Sequence, residues 1–170
     1  GSESDNWAIK KIMISRMNKG KHMITTKVEH HAVLESCKYL ESLGFEVTYL
    51  NVNEDGLIDL NELENSIRED TILVSIMAAN NEIGTLMPLK EIGSICKKHK
   101  VLFHTDAVQA YGNIPIDVNE MNIDFLSTSA HKIEGPKGIG FLYVRKGVMI
   151  TPLISGGMQK KGKRAGTTNA

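Results

Sequence analysis

The amino-acid sequence predicts an α/β fold of three layers, α/β/α, around a mostly parallel central sheet. Three observations carry that reading. Thr71-Ile72-Leu73-Val74-Ser75-Ile76-Met77 is almost unbroken in apolar character, as a strand covered on both faces must be. Short apolar runs alternate with stretches of helical periodicity, and small polar residues follow the runs, which is the pattern of a βαβ chain. A chain of 170 residues with 41% apolar residues can also enclose one domain-sized core.

Apolar positions at helical spacing place a first helix over residues 7–17. The segment before it, Gly1-Ser2-Glu3-Ser4-Asp5-Asn6, can cap that helix or hold an anion at its N-terminus. Residues 22–26 read as a strand, 32–40 as a helix closed by Leu43-Gly44, and 45–50 as an alternating strand. Asn53-Glu54-Asp55-Gly56 turns the chain, and Asp59 with Glu62 has the capping-box spacing for a helix over 60–68. The buried strand 71–77 is followed by the polar tip Asn80-Asn81-Glu82, a helix over 89–99 and a strand over 101–105. A second polar tip, Asp106-Ala107-Val108-Gln109, comes next. Two further apolar runs, 124–126 and 139–144, flank Ser127-Thr128-Ser129-Ala130-His131-Lys132 and the glycine-rich residues after it. Lys160-Lys161-Gly162-Lys163-Arg164 reads as a loop rather than a binding stripe.

The 20 basic and 20 acidic residues cancel and are spread along the chain, so neither a nucleic acid nor a membrane surface is expected as a partner. Cys37 and Cys96 sit in helical stretches with no CxxC spacing, which argues against a disulfide framework or zinc site. A reducing, cytoplasmic setting is expected.

The unusual feature is Lys132, a lysine in a small-residue turn between two strands, with hydroxyls before it, His131 beside it and glycines after it. It is either an ordinary surface ammonium or an amine in a partly dry pocket that attacks an aldehyde cofactor. Other segments bear on the choice. In a parallel sheet, ligands collect beyond the carboxyl ends of the strands. Those tips carry His30, Asn81, Asp106 with Gln109, and Ser129 with His131 and Lys132. A pyridine-aldehyde cofactor needs an imine lysine, a carboxylate for its ring nitrogen, a donor to its phenolic oxygen, a group stacked on its ring and a phosphate cradle. Each need has a candidate here. Other roles stay open: His104 with Asp106 as metal ligands, His30 with His31 likewise, and Asn81 as a turn former. Adjacent helical histidines do not face one way, and no metal site is expected.

The same motifs resemble a known family. Gly1-Ser2-Glu3-Ser4-Asp5-Asn6, Glu29-His30-His31-Ala32-Val33-Leu34, Asn80-Asn81-Glu82-Ile83-Gly84, His104-Thr105-Asp106-Ala107-Val108-Gln109, Ser129-Ala130-His131-Lys132-Ile133-Glu134-Gly135-Pro136-Lys137-Gly138 and Arg164-Ala165-Gly166-Thr167 occur in family order along the chain. They are similar to the large domain of class V, fold-type I pyridoxal-phosphate enzymes, specifically NifS/IscS-like cysteine desulfurases. The resemblance implies pyridoxal 5′-phosphate as cofactor, with Lys132 as the imine lysine and proton shuttle. It implies His30 on the ring face, Asp106 on the ring nitrogen, and Gln109 and Asn81 near the phenolic oxygen. Gly1, Ser2, Ser129 and His131 are implied at the phosphate, and Thr167 at the phosphate of a neighbouring subunit, hence a homodimer with shared sites. The implied reaction converts L-cysteine to L-alanine and passes sulfur to an enzyme cysteine, then to acceptor or scaffold proteins, in iron–sulfur cluster or other sulfur-carrier synthesis.

In that family the nucleophilic cysteine and an arginine for the substrate carboxylate lie in a C-terminal small domain, and Cys37 and Cys96 match neither. Residues 1–170 are therefore expected to be the cofactor-binding large domain, cut at both ends and inactive in sulfur release. The alternatives are a related aminotransferase or selenocysteine lyase, or a binding fragment without catalysis.

Overall fold

The computed structural model describes residues 1–157 and 162–165. In chain order they form α1 (Ser2–Ser15), β1 (His22–Thr26), α2 (His31–Ser42), β2 (Glu46–Leu50), α3 (Leu60–Ser66), β3 (Thr71–Ser75) and α4 (Leu89–His99). Then follow β4 (Leu102–Asp106), β5 (Phe125–Ser127), a single 3-10 turn over Ala130–Lys132, and β6 (Leu142–Val144). The strands make one sheet in the order β2-β1-β3-β4-β5-β6. Every neighbouring pair is parallel except β5 with β6, which is antiparallel.

Side chains alternate between the two faces of a strand, so consecutive residues enter different cores. Met23, Leu73 and Phe125 pack on one face with Ala8, Ile9, Ile12 and Met13 of α1 and Val33, Cys37 and Leu40 of α2. Ile24, Val74, Phe103 and Leu126 pack on the other with Leu63 of α3 and Ile92 and Cys96 of α4. These two cores are what make three layers; each fully buried Leu, Ile or Phe contributes about 1.5–3 kcal/mol.

Several boundaries differ from the sequence expectation, for local reasons. The first helix begins at Ser2, not residue 7, with Gly1 as its N-cap and Glu3 and Asp5 in its first turn. Carboxylates in the first turn favour that start. Asp59 caps α3 by accepting from the Asn61 N–H at 2.8 Å, one residue short of the capping-box bond. β3 ends at Ser75, because beyond it the chain bonds singly to β4's end: Ile76 N–H donates to His104 C=O and Ala78 N–H to Asp106 C=O. The final run is strand only over Leu142–Val144, where Asp124 holds it. One Asp124 oxygen accepts from Phe103 N–H and the other from Arg145 Nε, which ties β4, β5 and β6 together at one buried carboxylate. No helix among the described residues is long and apolar enough to cross a membrane.

Candidate functional site

The carboxyl ends of β1, β3, β4 and β5 open into one cavity of about 310 Å³, roofed on one side by the N-terminus of α1. Gly1, Ser2, His30, Asn81, Asp106, Gln109, Ser129, His131 and Lys132 all line it, with Asp5, Met77, Ala79 and Val108. Thr167 lies outside the described residues, as do Lys160 and Lys161 of the basic loop.

Each of these side chains is placed by its own backbone. His30 is the N-cap of α2, and its Nδ1 accepts from Ala32 N–H at 3.2 Å. The sequence had assigned it to a strand tip with no capping role. Asn80, not Asn81, forms the turn after β3: its Oδ1 accepts from the Glu82 and Ile83 N–H groups and its Nδ2 donates to Val28 C=O. Asn81 is thereby left exposed on the cavity wall. Asp106 is the last residue of β4, and its Oδ1 accepts from Val108 N–H at 2.9 Å. Ser129 Oγ and His131 Nδ1 are 2.7 Å apart, which orients the imidazole. Lys132 closes the 3-10 turn and lines the cavity with an exposed side chain. The chain after it folds back closely: a Cβ on Gly140 would lie 2.4 Å from the Thr128 carbonyl oxygen and 3.4 Å from Gly1 N. Only glycine allows that approach.

Beneath the cavity the sheet face turns polar. Residues 102, 104 and 106 share one face of β4, the face that α1 covers, so His104 lies under α1 where Leu102 packs apolar neighbours. His104 is fully buried between Ser75 Oγ at 2.8 Å and Ser127 Oγ at 3.0 Å. Burial holds its imidazole neutral, pushing its pKa down to about 3. Glu29 is buried beside His30: one carboxyl oxygen accepts from Thr26 Oγ1 and Met77 N–H, and the other has no partner. Burial pushes its pKa up to about 8. Asp5, on the first turn of α1, has only 1% of its surface exposed and also leaves one oxygen unpartnered. Ligand-type atoms of Asp5, His30 and Asp106 lie within 4.8 Å of one another.

That donor set fits a small molecule with an anion at one end and a cationic ring at the other. The free N–H groups at the N-terminus of α1, with Ser2, Ser129 and His131 nearby, suit a phosphate. The buried carboxylates suit a protonated ring nitrogen. Of the residues that complete this arrangement, Asp5 and Glu29 were quoted within motifs but not singled out by sequence. Their importance comes from burial, which a first-turn Asp and a loop Glu do not advertise.

A mostly parallel sheet flanked by helices, with a lysine and a buried carboxylate at its strand ends, is consistent with the pyridoxal-phosphate-dependent α/β domains. Within that class, the chain belongs to the class-V aminotransferase family, whose description, Aminotransferase class-V, matches residues 1–169. It is 61% identical over 169 residues to cysteine desulfurase IscS of Methanosarcina thermophila, covering 99% of this chain and 42% of that protein. A solved NifS-like protein superposes with a TM-score of 0.95 at 49% identity, covering 99% of this chain and 47% of the other. A structure described as SspA in complex with cysteine gives 0.94 at 48%, covering 98% and 49%. The chain thus spans less than half the length of these relatives.

Proposed function

We propose that residues 1–170 are the cofactor-binding domain of a pyridoxal-phosphate-dependent cysteine desulfurase. The observation that carries this is the convergence of Lys132, His30 and Asp106, from three separate segments, on one cavity beside the free N-terminus of α1. The names of the relatives, and the neighbour solved with cysteine, support the substrate.

The residues divide the work by chemistry. The α1 N-terminus, Ser2, Ser129 and His131 hold the phosphate, with the Ser129 contact fixing the His131 ring. Asp106 would hold the ring nitrogen: burial pushes its pKa up, and the hydrogen bond from Val108 N–H opposes that rise and steadies the carboxylate. His30, whose ring is oriented by its capping bond to Ala32, would cover the ring face. Gln109 and Asn81 would donate to the phenolic oxygen. Lys132 would hold the cofactor's aldehyde end through Nζ, and its amine would serve as the proton carrier at the substrate Cα. The bound cofactor supplies an electron sink for the bonds broken at that carbon.

The sulfur step needs a thiolate, and neither cysteine of this chain can offer one. Cys37 and Cys96 are buried, and burial pushes both thiols up to about 12. We therefore infer that these residues alone bind the cofactor and release no sulfide from cysteine. The nucleophile, the arginine for the substrate carboxylate, a homodimer in which Thr167 reaches the neighbouring site, and docking of a sulfur acceptor belong to the same proposal. The two unpaired thiols accord with a reducing, cytoplasmic setting.

The test is the absorbance spectrum of the purified chain with pyridoxal phosphate added. A new visible band, removed by borohydride and absent in Lys132→Ala, is expected. Its absence from the wild-type chain, or its survival in Lys132→Ala, overturns the assignment.

A further inference from the structure

Two aspartates face one another across the floor of the cavity, and only one has a role so far. Asp106 comes from the end of β4, and Asp5 from the first turn of α1, about a hundred residues earlier in sequence. Both are buried, at 6% and 1% exposure, and their oxygens lie within 4.8 Å. Two carboxylates this close and this dry cannot both ionise near neutral pH, so one proton belongs to the pair. The geometry says which member carries it. Asp106 Oδ1 accepts a backbone N–H, a contact that favours a negative charge. Asp5 Oδ1 has no partner, and the nearest cation-capable atom, His104 Nε2, is 3.7 Å away on a ring already engaged with Ser127.

We infer that Asp5 is a positioning residue for Asp106: its carboxyl holds the single proton of the pair and leaves Asp106 as the ionised member presented to the cavity. The pair stands on its own geometry; what Asp106 faces rests on the cofactor reading above. The consequence for chemistry is one of charge. A second ionised carboxylate beside Asp106 would raise its affinity for a proton and turn it from acceptor into donor. A neutral Asp5 avoids that.

Titratable and polar groups face Asp5 from several elements. From β4 come Asp106 and a His104 held neutral by burial. From the β1–α2 loop come His30 and the buried Glu29, and β5 contributes Ser127. His131 and Lys132 line the far side of the same cavity. On its own helix stands Glu3, paired with Arg164. The α1 N-terminus and the Ser127 hydroxyl favour ionisation, but desolvation is the largest influence and Asp106 the next, and together they push Asp5 up to about 8.

The experiment is a pH titration of the cofactor-free chain labelled with ¹³C at the aspartate carboxyls. The Asp5 signal is identified by its loss in Asp5→Asn or, if that variant does not fold, as the carboxyl that persists in Asp106→Asn while the Asp106 signal is lost. The expected wild-type midpoint for Asp5 is near 8. In Asp106→Asn that midpoint falls by at least about one pH unit, because the like charge is gone. A purely structural aspartate would not shift when its neighbour is neutralised. An Asp5 carboxyl that titrates near the ordinary value of about 4, or whose midpoint is unmoved in Asp106→Asn, overturns the inference. Pyridoxal phosphate is then added to the wild type. Failure to form the Lys132-dependent band overturns the cofactor reading and leaves the carboxyl titration to judge the pair.

Discussion

Glu29 and His104 sit a few residues from the site yet pull stability in opposite directions with pH. Glu29, with its pKa raised by burial to about 8, keeps its proton in the folded state after the unfolded chain has lost it. Stability therefore falls as pH rises from about 4 to about 8, by up to about 1.4 kcal/mol per pH unit for one such group. His104, lowered to about 3, is neutral in the fold while the unfolded imidazole still binds a proton, so it adds stability as pH rises from about 3 to about 6.5. The two oppose each other in mildly acid solution, and above about 6.5 the Glu29 effect acts in the same direction as that of Asp5, which burial also raises to about 8. Thermal unfolding of the cofactor-free chain should show a falling midpoint between pH 6.5 and 8, and Glu29→Gln should make that fall shallower, leaving the share that Asp5 contributes. An unchanged slope in the variant would mean that Glu29 is ionised in the fold. At this scale the sequence revealed residues whose type is itself unusual, such as a lysine in a glycine-rich turn. It was silent on Glu29 and Asp5, because an acidic residue in a loop or a first helical turn looks ordinary until tertiary contacts dry it.

Single elements are held by contacts that the pattern of apolar residues does not encode. Asp124 fastens β5 to β4 through Phe103 N–H and to Arg145 beyond β6. Asp124→Ala leaves a buried N–H without a partner and should destabilise by about 1–3 kcal/mol in chemical denaturation, with the slope unchanged. Gly93 marks where α4 meets the loop before β5: a Cβ there would come within 1.8 Å of the Met121 carbonyl oxygen. Backbone cannot yield as a side chain does. Gly93→Ala should therefore cost at least about 1–3 kcal/mol despite alanine's better helix propensity, and a stabilised variant would refute the close packing. The six strands and four helices were readable from periodicity, since each carries one or two apolar faces. Their ends were less so. α1 starts five residues early because Gly1 caps it and Glu3 and Asp5 suit its first turn, features shared by any small-residue loop.

For the molecule as a whole, the sheet order was not readable, since alternation says which face a residue takes but not which strand lies beside it. The order β2-β1-β3-β4-β5-β6 puts four carboxyl ends around one cavity and lays α1 across the strands that bear Ser75, His104 and Ser127. This has a consequence for how the chain comes together during synthesis. The apolar stripe of α1, Ala8, Ile9, Ile12 and Met13, can find Met23, Val33 and Cys37 almost as soon as α2 emerges. Asp5, on the same helix, must wait for β4 and β5, about a hundred residues later, or roughly 5–20 s at ribosomal rates. Until then its carboxylate is wet and charged. The closing of β4 and β5 under α1 is thus the moment at which Asp5 takes up a proton from solvent, so this step in assembling the site is itself an acid–base event and its rate should slow as the medium becomes alkaline.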